Sequence, residues 1–373
     1  MNNMLEGSAA ASTIKEINNN WHLWMDMFRT AAAILVVISH ARDLVVVDYK
    51  GPLIYAPFYA ATGFGHSGVV MFFVLSGFWI SRSVLARLDT PYFWRNYLID
   101  RLSRLLIVLI PALALGGLLD SIGAVQLGLP LYAGTSGAHS LVSPVIDQLR
   151  VEVLLGNLLF LQTILVPTWG SNGPLWSLAY EFWFYIWFPA LAFLLMRRRV
   201  SVALLGLAIA WFNPSIALGF LAWLTGCVLL KLSQRPSIVV MKRWQVVGLT
   251  AVFLAALLIS ARCGSNVMDV VLAITFAALL YALRASGVRL PCWLSPFARF
   301  GRDSSYSLYV VHFPVLALAG SLLSGDVRLV PSLLSVGLVV VLTLSCIAIA
   351  WLFSELTERN TGKVRAFLHR RFC

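Results

Sequence analysis

Charge is what this chain has least of. Only 12% of its 373 residues are Asp, Glu, Lys or Arg, whereas 60% are hydrophobic. A soluble domain carries roughly twice that charged fraction, so the first class excluded is the water-soluble enzyme or binding module. Cysteine is sparse too. The five, Cys227, Cys263, Cys292, Cys346 and Cys373, are scattered, with no Cys-x-x-Cys pair and no metal-type spacing. Neither a disulfide framework nor a bound metal is expected. Residues 1–20 are polar and lack the apolar core of a cleavable signal peptide, so they read as a mobile cytoplasmic tail. The sequence also shows no internal repeat and no inverted pair of interrupted hydrophobic segments, which a secondary transporter often has.

Long apolar runs fill most of the rest, and mean hydropathy is +0.83. About 20 apolar residues in a helix cross the hydrocarbon layer. Spans are expected over 27–47, 66–85, 103–119, 175–196, 199–213, 216–232, 244–261, 267–284, 304–323 and 331–354. The apolar stretch 151–166 is read as an interfacial or re-entrant helix, because counting it as a span would put Arg197, Arg198 and Arg199 outside. The expected fold is therefore all-α, a polytopic bundle of about ten transmembrane helices with both termini cytoplasmic. All but five of the 28 Lys and Arg then lie on the cytoplasmic side, the five being Arg42, Lys50, Arg150, Arg262 and Arg328. That bias orients the chain and accounts for the net charge of +12 without nucleic acid. The segment 120–174 becomes the periplasmic portion and 357–373 a basic cytoplasmic tail.

Within the spans, a few ionisable residues call for a function, since charge inside a membrane is costly. Arg29 and His40 are eleven positions apart, about 16 Å along a helix and within about 20° of one face. Asp43, three residues further on, is placed to orient the His40 ring. Ser76 and Gly77, in GVVMFFVLSGFWI, are small residues that permit close helix contact. Arg101 and Arg104 share a face at i,i+3 spacing, and guanidinium forks suit phosphate oxygens. Glu181, a lone carboxylate among aromatic residues in GPLWSLAYEFWFYIWFP, needs a partner. Tyr306, Tyr309 and His312 fall at helical spacing in GRDSSYSLYVVHFP.

Taken together, MDMFRTAAAILVVISH, FFVLSGF, RLSR, PLWSLAYEFWFY and SYSLYVVHFP resemble, in order, the signatures of the membrane-bound acyltransferase family 3. The resemblance spans roughly residues 22–355. It implies a transmembrane acyltransferase domain over 21–356 in a bacterial inner membrane. The implied reaction moves an acyl group, usually acetyl, from cytoplasmic acetyl-CoA to a hydroxyl of an external polysaccharide, lipopolysaccharide or lipochitooligosaccharide. Acetyl-CoA enters as donor substrate, with no bound cofactor. The expected partners are acetyl-CoA, a glycan acceptor and membrane lipid. The family's paired Arg and His fall on Arg29 and His40, its RxxR arginines on Arg101 and Arg104, and its glutamate on Glu181. Ser76, Tyr306 and His312, in matching stretches, join the donor-binding candidates. Many relatives carry an acid where this chain has Val70, and some append an esterase domain that this chain does not show.

His40, with an ordinary pKa of about 6.5, suits either of two roles. It is a general base toward the acceptor hydroxyl or the bearer of a transient acyl group, with Glu181 and Asp43 assisting. Tyr306 is a candidate to stabilise the oxyanion. Two other readings stay open: a transporter or flippase of a lipid-linked sugar, and a structural subunit of an export assembly.

Overall fold

The computed structural model describes residues 2–197, 213–235, 240–325 and 327–372. The long helices are α1 (Asn2–Val45), α3 (Gly65–Leu85), α4 (Phe93–Ser121), α6 (Trp176–Arg197), α7 (Pro214–Ser233), α8 (Arg243–Cys263), α9 (Asn266–Ser286), α10 (Ser295–Ser324) and α11 (Leu333–Leu356). Three shorter helices join them: α2 (Ala56–Ala61), α5 (Val151–Leu158) and α12 (Thr361–Phe372). Among the described residues there is no strand, and nine helices are long and apolar enough to cross a membrane. The protein is a multi-pass helical bundle. The span expected over 199–213 lies outside the described residues, as do Arg198 and Arg199.

Several helices extend past their apolar stretches. Helix α1 is helical from Asn2, through the segment read as a tail, and α4 starts at Phe93, ten residues before the span expected over 103–119. Helix α10 likewise includes polar Ser295–Arg302. The stretch 151–166 holds only the eight-residue α5 followed by turns, too short to span. Beyond α11 the basic residues form α12, which packs against α4 and sets His369 Nε2 2.9 Å from Asp100.

Two prolines inside helices explain two long-range contacts. Pro189 cannot donate to the Tyr185 carbonyl, and Pro314 cannot donate to that of Val310. In a membrane such a carbonyl must find another donor. The Tyr97 hydroxyl donates to Tyr185 O (2.9 Å), tying α4 to α6. The Asn172 amide donates to Val310 O (2.8 Å), tying the 120–174 segment to α10.

That segment folds as a cap over one end of the bundle. Asp43, at the end of α1, accepts from the backbone amides of His139 (3.2 Å) and Ser140 (2.8 Å) and from the Ser140 hydroxyl. Arg328 closes the latch, donating to Asp43 O (3.2 Å) and to Asp48 (3.3 Å). Partial burial pushes the Asp48 carboxyl up, but the Arg328 hydrogen bond and charge outweigh it and hold the group below the usual carboxylate range. We call this the capped end and the opposite one, where α10 begins, the basic end.

Helices α3 and α7 cross at Gly77 and Gly226, as the small residues of the Ser76–Gly77 stretch lead one to expect. A Cβ at Gly77 would meet the Trp223 carbonyl, and one at Gly226 would meet that of Val74. Backbone cannot yield as a side-chain tip can. Gly77→Ala is expected to cost about 1–3 kcal/mol of stability. Gly248→Ala, at a glycine with open space around it, should leave thermal unfolding in detergent unchanged.

Candidate functional site

A cavity of about 770 Å³ opens into the basic end. Six arginines line it: Arg29, Arg87, Arg101, Arg104, Arg302 and Arg365. Among the described residues only three carboxylates share the wall, Asp26, Asp100 and Glu181. Three of the guanidiniums are engaged. Arg87 binds Asp100 at 2.8 Å, Arg365 approaches the same carboxylate at 3.9 Å, and Arg302 binds Asp303 at 2.8 Å. The other three are those the sequence singles out. Arg29 holds Asp26 only at 3.3 Å. Arg101 reaches Ser83 at 3.3 Å, and its buried Nε has no partner. Arg104 makes no hydrogen bond or ion pair with any described residue. A basic cavity with guanidinium capacity to spare is arranged for a polyanion.

Glu181 projects into the same cavity from α6 and has the partners its setting demands. The Ser76 hydroxyl donates to it at 2.8 Å and the Tyr185 hydroxyl at 2.5 Å. Ser76 in turn accepts from Trp223 Nε1 at 3.3 Å. Tyr185 lies at i+4 from Glu181, a spacing that brings the two together on one helix face.

Deeper in the bundle the wall is made by Phe72, Ser177 and Tyr309. The Tyr309 hydroxyl donates to Pro174 O (2.8 Å) and lies 2.5 Å from Ser177 Oγ. Phe72 meets the Tyr309 ring edge-on at 5.9 Å. Behind Tyr309 stands His312, fully buried, and behind that His40.

The two histidines form a directed pair. His312 Nδ1 is 2.7 Å from the Tyr309 carbonyl and 3.1 Å from that of Leu308. Carbonyls only accept, so Nδ1 carries the proton, and the Nε2 of a neutral ring is left as an acceptor. That Nε2 lies 3.0 Å from His40 Nδ1, which must therefore donate. The lone pair of His40 is thereby assigned to Nε2. This is how an orienting group fixes the tautomer of a histidine that is to act through its other nitrogen.

A sequence model of the acyltransferase 3 family, described as an acyltransferase domain, matches residues 22–355. The chain belongs to that family. No curated protein and no solved structure matches it.

Four expectations for this acyltransferase need correction. Asp43 does not orient His40. It is held by the cap and by Arg328, and His312 orients the ring instead. His312 thus sits with His40 rather than among the donor-facing arginines. Arg29 and His40 do share one continuous helix, but His40 does not line the large cavity, because Phe72 and Tyr309 pack together and close it first. The Tyr306 hydroxyl, proposed for an oxyanion, donates to Leu105 O at 3.2 Å, so Tyr306 serves as cavity wall.

Other cavity residues escape a motif reading. Asp100, Arg87, Arg302 and Arg365 come from three different helices and an interhelical turn, and only tertiary packing assembles them. Asp26, three residues before Arg29 on α1, also lines the cavity and was not singled out in the sequence. Asp43, Asp48 and His139 also come within reach of one another. Arg328 already supplies the cation there.

Proposed function

We propose that the protein is an O-acyltransferase of a bacterial inner membrane. It takes acetyl from acetyl-CoA and delivers it to a glycan hydroxyl on the opposite side. The observation that carries this reading is the arginine-rich cavity at one end of the helix whose other half bears His40. The excess of Lys and Arg at the cavity's end supports the reading that this end faces the cytoplasm. The donor's phosphates are to be held by Arg29, Arg101 and Arg104, and the pantetheine arm is to run along α1. About 16 Å of helical rise separates Arg29 from His40. The acyl end must then pass Phe72 and Tyr309.

At the reacting centre His40 Nε2 takes the proton of the acceptor hydroxyl as its oxygen attacks the thioester carbonyl. A C–O bond forms, the C–S bond breaks, and the proton passes from His40 to the departing thiolate. The same lone pair serves if His40 attacks first and carries the acetyl group itself. Glu181, braced by Ser76 and Tyr185, lines the path between the phosphate end and this centre.

Arg104→Ala is expected to weaken acetyl-CoA binding about ten- to hundredfold, the loss of one charge-assisted hydrogen bond of about 1.5–3 kcal/mol. Equilibrium binding to purified protein reads it. The function as a whole is tested by mass analysis of surface glycans from cells with and without the gene. A shift of one acetyl group per repeat unit supports the reading. Absence of binding by acetyl-CoA would favour a flippase, which has no use for a thioester.

A further inference from the structure

A second cavity, of about 330 Å³, lies near the capped end between α3, α6, α7 and α9. It falls within the size range of small-ligand pockets. Its walls are of two kinds. Phe73, Trp176 and Tyr180 present aromatic surface, and Trp176 carries the His66 ring stacked on it at 5.9 Å. Asp269, Asn266 and Ser215 supply polar groups from two other helices. His66 Nε2 occupies one oxygen of Asp269 at 2.8 Å. The other oxygen of that carboxylate, the Asn266 amide and the Ser215 hydroxyl have no hydrogen-bond partner among the described residues.

We propose that this cavity is the acceptor site and that it binds a pyranose ring of the glycan. The proposal rests on the acyltransferase reading above. A sugar ring has an apolar C–H face and a rim of hydroxyls. The first suits the Trp176 and Tyr180 surfaces, which combine apolar area with little conformational freedom. The second needs acceptors and donors with spare capacity, which Asp269, Asn266 and Ser215 provide. A lipid tail would leave those polar groups without partners, at a desolvation cost of about 1–3 kcal/mol each.

Position supports the assignment. Phe73 lies in the wall of both cavities. Trp176 of the small cavity is followed by Ser177 of the large one, and Ser177 meets Tyr309, the neighbour of His312. The sugar site thus shares a wall with the donor cavity ahead of the Phe72–Tyr309 contact, and the acceptor hydroxyl, like the acyl group, has to pass that contact to meet His40.

The test uses the purified protein in lipid nanodiscs. Saturation-transfer NMR is recorded with methyl glycosides of glucose, galactose, mannose and rhamnose, and acetyl-CoA binding is measured on the same samples. At least one glycoside should bind. Trp176→Leu and Asp269→Asn should each weaken it tenfold or more without changing acetyl-CoA binding. Asn266→Ala, at an exposed position, gives a variant that leaves packing untouched and should also weaken it. Acetyl-CoA binding with no glycoside signal, or glycoside binding indifferent to all three variants, would overturn the acceptor site alone. Glycoside binding that responds to the variants, with no acetyl-CoA binding in the wild type, would keep the sugar site and overturn the donor.

Discussion

Replacing His40 by alanine is expected to lower acyl transfer about 10²–10⁴-fold, the usual contribution of a positioned general base. Acetyl-CoA binding should be unchanged, because the residue lies outside the arginine cavity. That split separates a chemical role from a structural one. A histidine needed only for packing would lower protein yield or thermal stability, with residual activity following the folded fraction. The wild-type tautomer leaves Nε2 of His40 as the only ring nitrogen free to take a proton, since Nδ1 is spent on His312. Full transfer by the His40→Ala enzyme would remove the chemistry from this residue.

His312→Ala should cost nearly as much, although His312 is not proposed to touch either substrate. Without an acceptor at 3.0 Å, the His40 proton is free to move to Nε2, which presents the wrong face to the substrate. In sites of this design, spoiling the orienting partner costs up to about 10⁴-fold. The expected signature is a fall in kcat with the KM for acetyl-CoA unchanged. His312→Gln is the informative companion. Its amide oxygen can stand near the former Nε2 and accept from His40, so it should recover a substantial part of the rate. Equal loss in both variants, with both proteins folded, would reduce His312 to a packing residue.

Much of this site was legible in the sequence because its parts lie on regular helices. The i,i+3 spacing of Arg101 and Arg104 and the eleven-residue spacing of Arg29 and His40 survive because α4 and α1 are continuous through them. The lone carboxylate of Glu181 was bound to need partners, and Tyr185 was already in reach at i+4. What failed was any inference that crossed from one helix to another. Asp43 sits one turn beyond His40, yet its carboxylate is taken by backbone amides of a cap 96 and 97 residues away. The partner His40 does have comes from a helix 272 residues distant. The small cavity assembles His66, Trp176 and Asp269 from three separate helices, with no local pattern to announce it.

The span limits show a related effect. Charged residues lower the average of a hydropathy window, so α4 and α10 were read too short at the ends where Asp100, Arg101 and Arg302 line the cavity. The prolines were visible, but not their consequences. Only the packed structure reveals that Tyr97 and Asn172 serve the carbonyls that Pro189 and Pro314 leave without a donor.

The most direct measurement is a structure of the protein bound to a non-transferable acetyl-CoA analogue in which a methylene separates the sulfur from the carbonyl. The expected map has phosphates in hydrogen-bond contact with Arg104 and with Arg29 or Arg101. It has the Phe72–Tyr309 contact parted and the acyl carbonyl within reach of His40 Nε2. An analogue seated with its acyl group at the basic mouth, or bound outside the arginine cavity altogether, would contradict the shared path from donor anchor to His40.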